Sequence, residues 1–393
     1  MHELLTRPDI KQFIREHEKD DVAELMLNRS RYPELPMTEI AGQIKSRRKA
    51  KDKLPEWYAN ENVIFPPHHR LQQSSSELTA RYKASFYTGD RFLDLTGGTG
   101  IDSYYLLEKF QSGVIVEPDP EMAALLRHNL KVLGIRHAEV LEMTAENYLQ
   151  NHSDTFDLIY LDPSRRDEDH NRVFLLEDCS PDVIILQQEL IKRSEQVLIK
   201  ASPMLDHHLA AEQLNHTEQI TILSVEGEVK ELLYHLRRGF TSEFTILCKD
   251  IGTDLIKSLE FKGTEEDAAS VEYRMPGEFL YDPMRTIRKA GAFKLIGEKY
   301  DLQKLEVNTH LYTSDIHVAG FPGRTFKIIE VLKIDRKLLR KAAGRKQVNL
   351  ATRNYATDVS KLRKKLGVTD GGTLFAFAAQ TLDGYRLILC KKV

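Results

Sequence analysis

Four short stretches hold residues whose types and spacing could do chemistry. Asp94-Leu-Thr96-Gly97-Gly98-Thr-Gly100-Ile-Asp102 sets glycines between carboxylates, and Val114-Ile-Val116-Glu117 ends an apolar run in an acid. Leu141-Glu142-Met143-Thr144-Ala145-Glu146 and Tyr160-Leu161-Asp162-Pro163-Ser164-Arg165-Arg166 close two further runs in polar groups. Gly98 and Gly100 would let backbone approach a ligand with no Cβ in the way, and Asp94 offers a carboxylate to the same crevice. Glu117 can accept both hydroxyls of a ribose, charge-assisted bonds worth roughly 1.5–3 kcal/mol net. Thr144 suits the amino group of an adenine, with Glu142 and Glu146 as alternates. It reads equally well as a helix N-cap, with Asn147 three residues on. Together these groups describe a site for an adenosine cofactor.

Such a site needs strands that end side by side. Strand-like runs occur at Phe92 to Leu95, Val114 to Val116, Ala138 to Leu141, Phe156 to Leu161, Gln196 to Lys200, Ile220 to Val225 and Phe244 to Cys248. Helix-like stretches separate most of them, which predicts a mainly parallel, doubly wound sheet. Glu226 to Gly239 holds one short amphipathic helix at most, so the last two runs are expected to form a closing antiparallel pair. The fold class is α/β: a Rossmann-like sheet of seven strands, the last antiparallel, with a helical N-terminal module and an α+β C-terminal region.

Two cofactors compete for the glycine turn. Gly98-x-Gly100-x-x-Ser103 is an imperfect dinucleotide fingerprint with Glu117 on the ribose, and a plain structural turn is a third reading. Asp162-Pro163 decides, since nicotinamide dehydrogenases do not require Asp-Pro at the end of strand four. The whole set resembles a class I S-adenosylmethionine-dependent methyltransferase. The resemblance implies S-adenosylmethionine as cofactor; no metal is expected. Asp94 would be the acid opening the glycine loop, Gly98 and Gly100 its glycines, Glu117 the ribose acid and Asp162-Pro163 the Asp/Asn-Pro motif. Thr96 stands where the first loop glycine usually does, and Asp102 closes the loop pattern.

A methyl sulfonium is already activated, so the protein must align a nucleophile, exclude water and take up a proton. The Asp162 carboxylate and Pro163 carbonyl could orient an exocyclic amine for attack. Related amino-methyltransferases have a second proline and an aromatic ring next, whereas this chain has Ser164 and Arg165. Arg165 or Arg166 could stack on a base or clamp a phosphate, or simply pair with Asp167, Glu168 or Asp169. Uracil C5 methyltransferases need a cysteine after strand five. Here that strand leads into Lys200-Ala201-Ser202-Pro203, and Cys179, which precedes it, reads as an inert residue, so covalent C5 chemistry is disfavoured.

Upstream, Ser75-Ser76-Glu77-x-x-Ala80 is similar to the segment that covers the cofactor in RNA-modifying methyltransferases, which adds Glu77 to the implied site. Ser74 with Glu77 also makes a capping box. Over its whole length the chain resembles bacterial class I methyltransferases with a THUMP-like C-terminal domain. Lys53-Leu-Pro55-Glu-Trp57, Tyr281-Asp-Pro283-Met-Arg-x-Ile287-Arg-Lys289-Ala290-Gly291, His310-Leu-Tyr-Thr-Ser314, Ala351-Thr-Arg353-Asn354 and Leu362-Arg-Lys-Lys365-Leu-Gly-x-x-Asp370-Gly371-Gly372 carry that likeness. It implies a helical module over 1–71, the methyltransferase domain over 72–250, a ferredoxin-like domain over 251–315 and a THUMP-like domain over 316–393. The implied partner is tRNA or another structured RNA; the rival readings are a protein or small-molecule methyltransferase, or an RNA-binding protein that keeps the cofactor fold without turnover.

The composition agrees with that picture. At 393 residues and 41% apolar content, two or three domains are expected. No apolar run nears the ~20 residues that span a bilayer, and the N-terminus lacks a signal-peptide pattern, so a soluble, cytoplasmic protein is expected. Three cysteines without metal or disulfide spacing argue against zinc. Net charge is only −3, yet residues 333–365 carry twelve Lys/Arg against Asp335 and Asp358. That stretch suits phosphate contact, with Tyr355 and Phe375 near for stacking, or else a solvated helical face. The smaller run Lys45 to Lys53 reads more simply as a solvated face.

Overall fold

The computed structural model describes residues 2–165, 175–252 and 257–393. They divide into two units, one of residues 1–218 and 232–242, the other of residues 219–231 and 243–393.

In the first unit, β1 (Gly89–Asp94), β2 (Phe110–Val116), β3 (Ala138–Leu141), β4 (Phe156–Leu161) and β5 (Ser194–Ala201) all run parallel, in the order β5-β4-β1-β2-β3. Their central residues, among them Phe92, Ile115, Leu158 and Leu198, are fully buried, as strands covered on both faces must be. Helices Ile101–Leu107 and Pro120–Val132 follow β1 and β2, so the carboxyl ends of the strands face one rim.

The end of the sheet differs from expectation. Thr217–Val225 (β6) is followed by a strand, Glu228–Arg237 (β7), where a short helix was foreseen. Glu226 and Gly227, at φ +51° and +79°, form the kind of two-residue turn that reverses a strand. Glu231 to His235 are all buried, so burial on both faces overrides the helical spacing of Val229, Leu232, Leu233 and Leu236. The antiparallel member is therefore β7, which pairs with β5. Thr245–Ile251 (β8) instead runs parallel to β6, and Lys257–Lys262 (β9) lies antiparallel to β8.

The N-terminal helices pack Ile10, Phe13, Ile40 and Ile44 against Ile64, Met122 and Leu125. The basic run on Met37–Lys53 is not one solvated face: Arg47 is buried 3.3 Å from Glu18, Arg48 donates to the Glu18 and Asp20 carbonyls, and the Lys53 ammonium donates to the Leu71 carbonyl at 2.7 Å.

The second unit continues with β10 (Phe279–Pro283), β11 (Gln303–Glu306), β12 (Thr309–Ser314), β13 (Gly323–Leu332), β14 (Asn349–Arg353), β15 (Leu374–Thr381) and β16 (Gly384–Lys392). They form one seven-stranded sheet in the order β11-β12-β10-β13-β16-β15-β14. Helices Arg336–Ala343 and Val359–Leu366 bury Leu339, Ala343, Leu362 and Leu366 in its core. Among the described residues no helix is long and apolar enough to cross a membrane.

Candidate functional site

At the carboxyl ends of the parallel strands lies a cleft of about 430 Å³. Thr96, Gly98, Glu117, Thr144 and Asp162 line it, as do Glu146, Arg70, Ser74 and Ser180. Glu117 is nearly buried; one carboxylate oxygen accepts the Gly98 N–H at 2.6 Å and the other the Asp119 N–H at 2.9 Å. Each oxygen keeps a further lone pair for a hydroxyl. Thr144 is both things the sequence allowed, a cleft residue and the N-cap that accepts the Asn147 N–H at 3.2 Å.

The glycine turn follows from sterics. Gly98 and Gly100 have φ of +51° and +77°, a region costly for side chains, and a Cβ on Gly100 would lie 2.1 Å from Leu126 Cδ1. Gly98 lines the cleft; Gly100 instead starts the following helix against Leu126. A bare backbone at Gly98, a doubly anchored carboxylate at Glu117 and the polar groups of Thr144 and Glu146 fit an adenosyl group.

Three other expected residues are not among those that line the cleft. Asp94 does not line it: its carboxylate accepts the Thr96 N–H at 2.8 Å, the Thr96 hydroxyl at 3.2 Å and the Ser103 hydroxyl. It is spent on shaping the turn. Burial lifts its acid to about 7, against the hydrogen bonds from Ser103 and Thr96. Glu77 accepts the Glu56 N–H at 2.9 Å and pairs with Arg81 at 3.1 Å. Its helix is capped by Ser76 with Thr79, not by Ser74 with Glu77, because the chain turns helical only at residue 77.

Asp102 anchors a buried network. Its carboxylate lies 3.1 Å from the Lys83 ammonium and 3.6 Å from that of Lys200, and accepts from Ser75 at 2.7 Å and Tyr160 at 2.8 Å. Burial alone would raise this acid; Lys83 and Lys200, with those hydrogen bonds, outweigh it and hold Asp102 well below the usual carboxylate range. Lys200 also makes a short ion pair with Asp162. Asp162 is 39% exposed to the cleft, and its N–H donates to the Thr96 hydroxyl at 2.7 Å.

Lys83 and Lys200 are the residues of this network that sequence reasoning missed. The signal was there: Lys200 ends the apolar run Val197-Leu-Ile199, and Lys83 sits beside Ala80 and Ala84 on a buried face. A buried ammonium needs an acid.

Ser164 and Arg165 pair through their backbone with Cys179 and Ser180. Pro163 sits between that ladder and Asp162 and is not among the cleft-lining residues. Arg166 lies outside the described residues, with Asp167 to Asp169. The Cys179 thiol donates to the Leu175 carbonyl, and burial pushes the Cys248 and Cys390 thiols up, away from nucleophilic use. Among the described residues no group of three His, Cys, Asp or Glu is placed to hold a metal ion.

Comparison with known proteins agrees with this geometry. Residues 61–215 match the model described as conserved hypothetical protein 95, residues 279–322 a ferredoxin-like domain and residues 323–392 a THUMP-like domain. The crystal structure of a candidate methyltransferase from Porphyromonas gingivalis W83 is 30% identical and covers 100% of this chain and 98% of its own, with a TM-score of 0.87. Proteins from two strains of Mycobacterium tuberculosis, each named an uncharacterized S-adenosylmethionine-dependent methyltransferase, are 27% identical over 338 residues, 81% of this chain and 86% of theirs. A full-length match on this scale, over a chain whose strand ends carry Glu117 and Asp162 into one cleft, has one outcome: the chain belongs to the S-adenosylmethionine-dependent methyltransferases that end in a THUMP-like domain.

Proposed function

We propose that the protein methylates a base in structured RNA, tRNA or rRNA, by direct in-line transfer without a cysteine nucleophile. S-adenosylmethionine supplies the activated methyl group. Glu117 would hold the ribose hydroxyls, Thr144 or Glu146 the adenine amino group, and Thr96 and Gly98 the loop side. Asp162 faces the cleft from the carboxyl end of β4 and would orient the attacking group and receive its proton, with the Pro163 carbonyl as a second acceptor. Asp94, Gly100, Asp102 and Glu77 act one layer back, fixing the loop and the covering helix. The catalytic roles given to Arg165 and Arg166 stay part of the proposal. So does the division into a helical module to residue 71, a methyltransferase domain to 250, and ferredoxin-like and THUMP-like parts that meet near residue 315.

The cofactor half is tested at Glu117. Glu117→Gln is expected to weaken S-adenosylmethionine binding on the order of 10- to 100-fold by calorimetry. A change below about twofold would remove the ribose assignment.

One observation carries the RNA half. Helices Arg336–Ala343 and Val359–Leu366 turn Lys337, Arg340, Lys341, Lys361, Lys364 and Lys365 outward, while the two acids of the stretch, Asp335 and Asp358, are consumed as N-caps. Cations in the last turns favour the helix dipole, but Arg336 and Lys337 stand in a first turn, where the dipole opposes them. Helix stability therefore does not explain them; an anionic partner does. Arg340→Glu with Lys364→Glu should weaken binding of total tRNA on the order of tenfold near 0.1 M salt and flatten the salt dependence, with cofactor affinity unchanged. Methyl transfer from labelled cofactor should reach RNA. Label found only in protein would end the RNA reading.

A further inference from the structure

The second unit holds a cationic cluster that the methyltransferase site does not use. Asp282, at the end of β10, is 2% exposed and faces three guanidiniums. Arg288 donates to it at 2.9 Å, Arg324 at 2.6 and 3.2 Å, and Arg353 at 2.9 to 3.1 Å. Arg324 is the cross-strand neighbour of Asp282, and Arg353 comes from the end of β14. Six contacts fill both carboxylate oxygens, so Asp282 has nothing left to give.

The arginines do. Among the described residues, Nη1 of Arg324 and Nε and Nη2 of Arg288 donate to no protein acceptor. Three guanidiniums face one carboxylate, and exposed Arg285 stands close by. Burial and the neighbouring Arg353, Arg285 and Arg324 charges pull the Arg288 guanidinium down to about 10, against the attraction of Asp282. The cluster is also packed on aromatic rings. Arg324 and Arg353 both lie over the Phe377 ring, at 6.0 and 5.9 Å, and Arg324 over Phe326 at 5.6 Å. A structural ion pair needs one guanidinium; three around a single acid, packed on aromatic rings, with donors of Arg288 and Arg324 unspent and Arg324 45% exposed, make a prepared anion site.

We propose that Arg324 and Arg288 bind a phosphate group of the RNA backbone, with Arg353 spent on Asp282 and the Thr352 carbonyl, an inference that rests on the RNA reading above. A planar fork matches two phosphate oxygens, and fixed geometry removes the ordering cost that a surface lysine carries. The test uses the full chain, wild type and Arg324→Gln, with Arg324→Lys as a second variant that keeps charge and loses the fork. Both retain Arg288 and Arg353 on Asp282, so the fold is expected to survive, checked by thermal unfolding. With total tRNA as probe, Arg324→Gln should weaken binding on the order of tenfold and reduce the salt slope by about 1, with Arg324→Lys between. Wild-type tRNA binding that Arg324→Gln leaves within twofold, at the same slope, overturns the site and leaves the RNA reading intact. In a second arm, phosphorus NMR follows inorganic phosphate. If wild type binds no tRNA yet broadens the phosphate line, and Arg324→Gln does not, the RNA reading falls and the site stands as one for a small phosphate. If neither probe responds, both fall.

Discussion

Lys83→Met should destabilise the first unit by about 3 kcal/mol, because removing one partner of a buried ion pair leaves the other charge without compensation. Lys83 has no exposed surface, and its ammonium reaches Asp102 and the Ser75 hydroxyl, both at 3.1 Å. Lys200, Tyr160 and Ser75 still serve Asp102 in the variant, which keeps the loss at the lower end for such pairs. The chain has one tryptophan, Trp57, fully buried in this unit with its ring 5.7 Å from Tyr104, so its emission in a denaturant titration reports this unit. Adding Asp102→Asn should recover part of the loss by removing the stranded charge. A loss under about 1 kcal/mol would mean that water reaches Asp102 and that the network is not a buried one.

The second large effect is expected on turnover. Asp162→Ala should lower kcat for methyl transfer on the order of 10³-fold, within the range for loss of a positioned acid or base. Cofactor affinity should change far less than in Glu117→Gln, because Glu117, unlike Asp162, accepts a backbone N–H of the glycine loop. Asp162→Asn separates two roles. If the carboxylate only orients an amine, the amide oxygen keeps much of the rate; if it takes the proton, Asn is as slow as Ala. Single-turnover transfer of labelled methyl to total RNA measures both. An Asp162→Ala enzyme within about tenfold of wild type would remove Asp162 from the chemistry.

The parallel strands were legible in the sequence because each is a short apolar run that stops at a polar residue, and Glu117 and Asp162 occupy those stops. The glycine turn was legible because positive φ and close packing leave few choices at Gly98 and Gly100. What failed depends on what lies across a gap. Asp94 was expected to face the cleft, but the hydroxyls of Thr96 and Ser103 claim it, and no local pattern announces that Ser103 points back at it. β7 was hidden because Glu, Lys and Leu at helical spacing are overruled by burial on both faces, which depends on neighbours distant in sequence. The partnership of Lys83, Asp102 and Lys200 joins three elements, and spacing along one element cannot reveal it. Asp282 and Arg353, 71 residues apart, are the same case in the second unit.

Thr96 carries a last consequence. Its single hydroxyl donates to Asp94 and accepts the Asp162 N–H, so the donor-side loop and the acceptor-side corner are riveted at one oxygen. Neither can drift without dragging the other, and stiffness gained on one flank is inherited by its neighbour. A glycine there, the commoner choice in such loops, would free the two sides to wander separately; the threonine trades that independence for alignment.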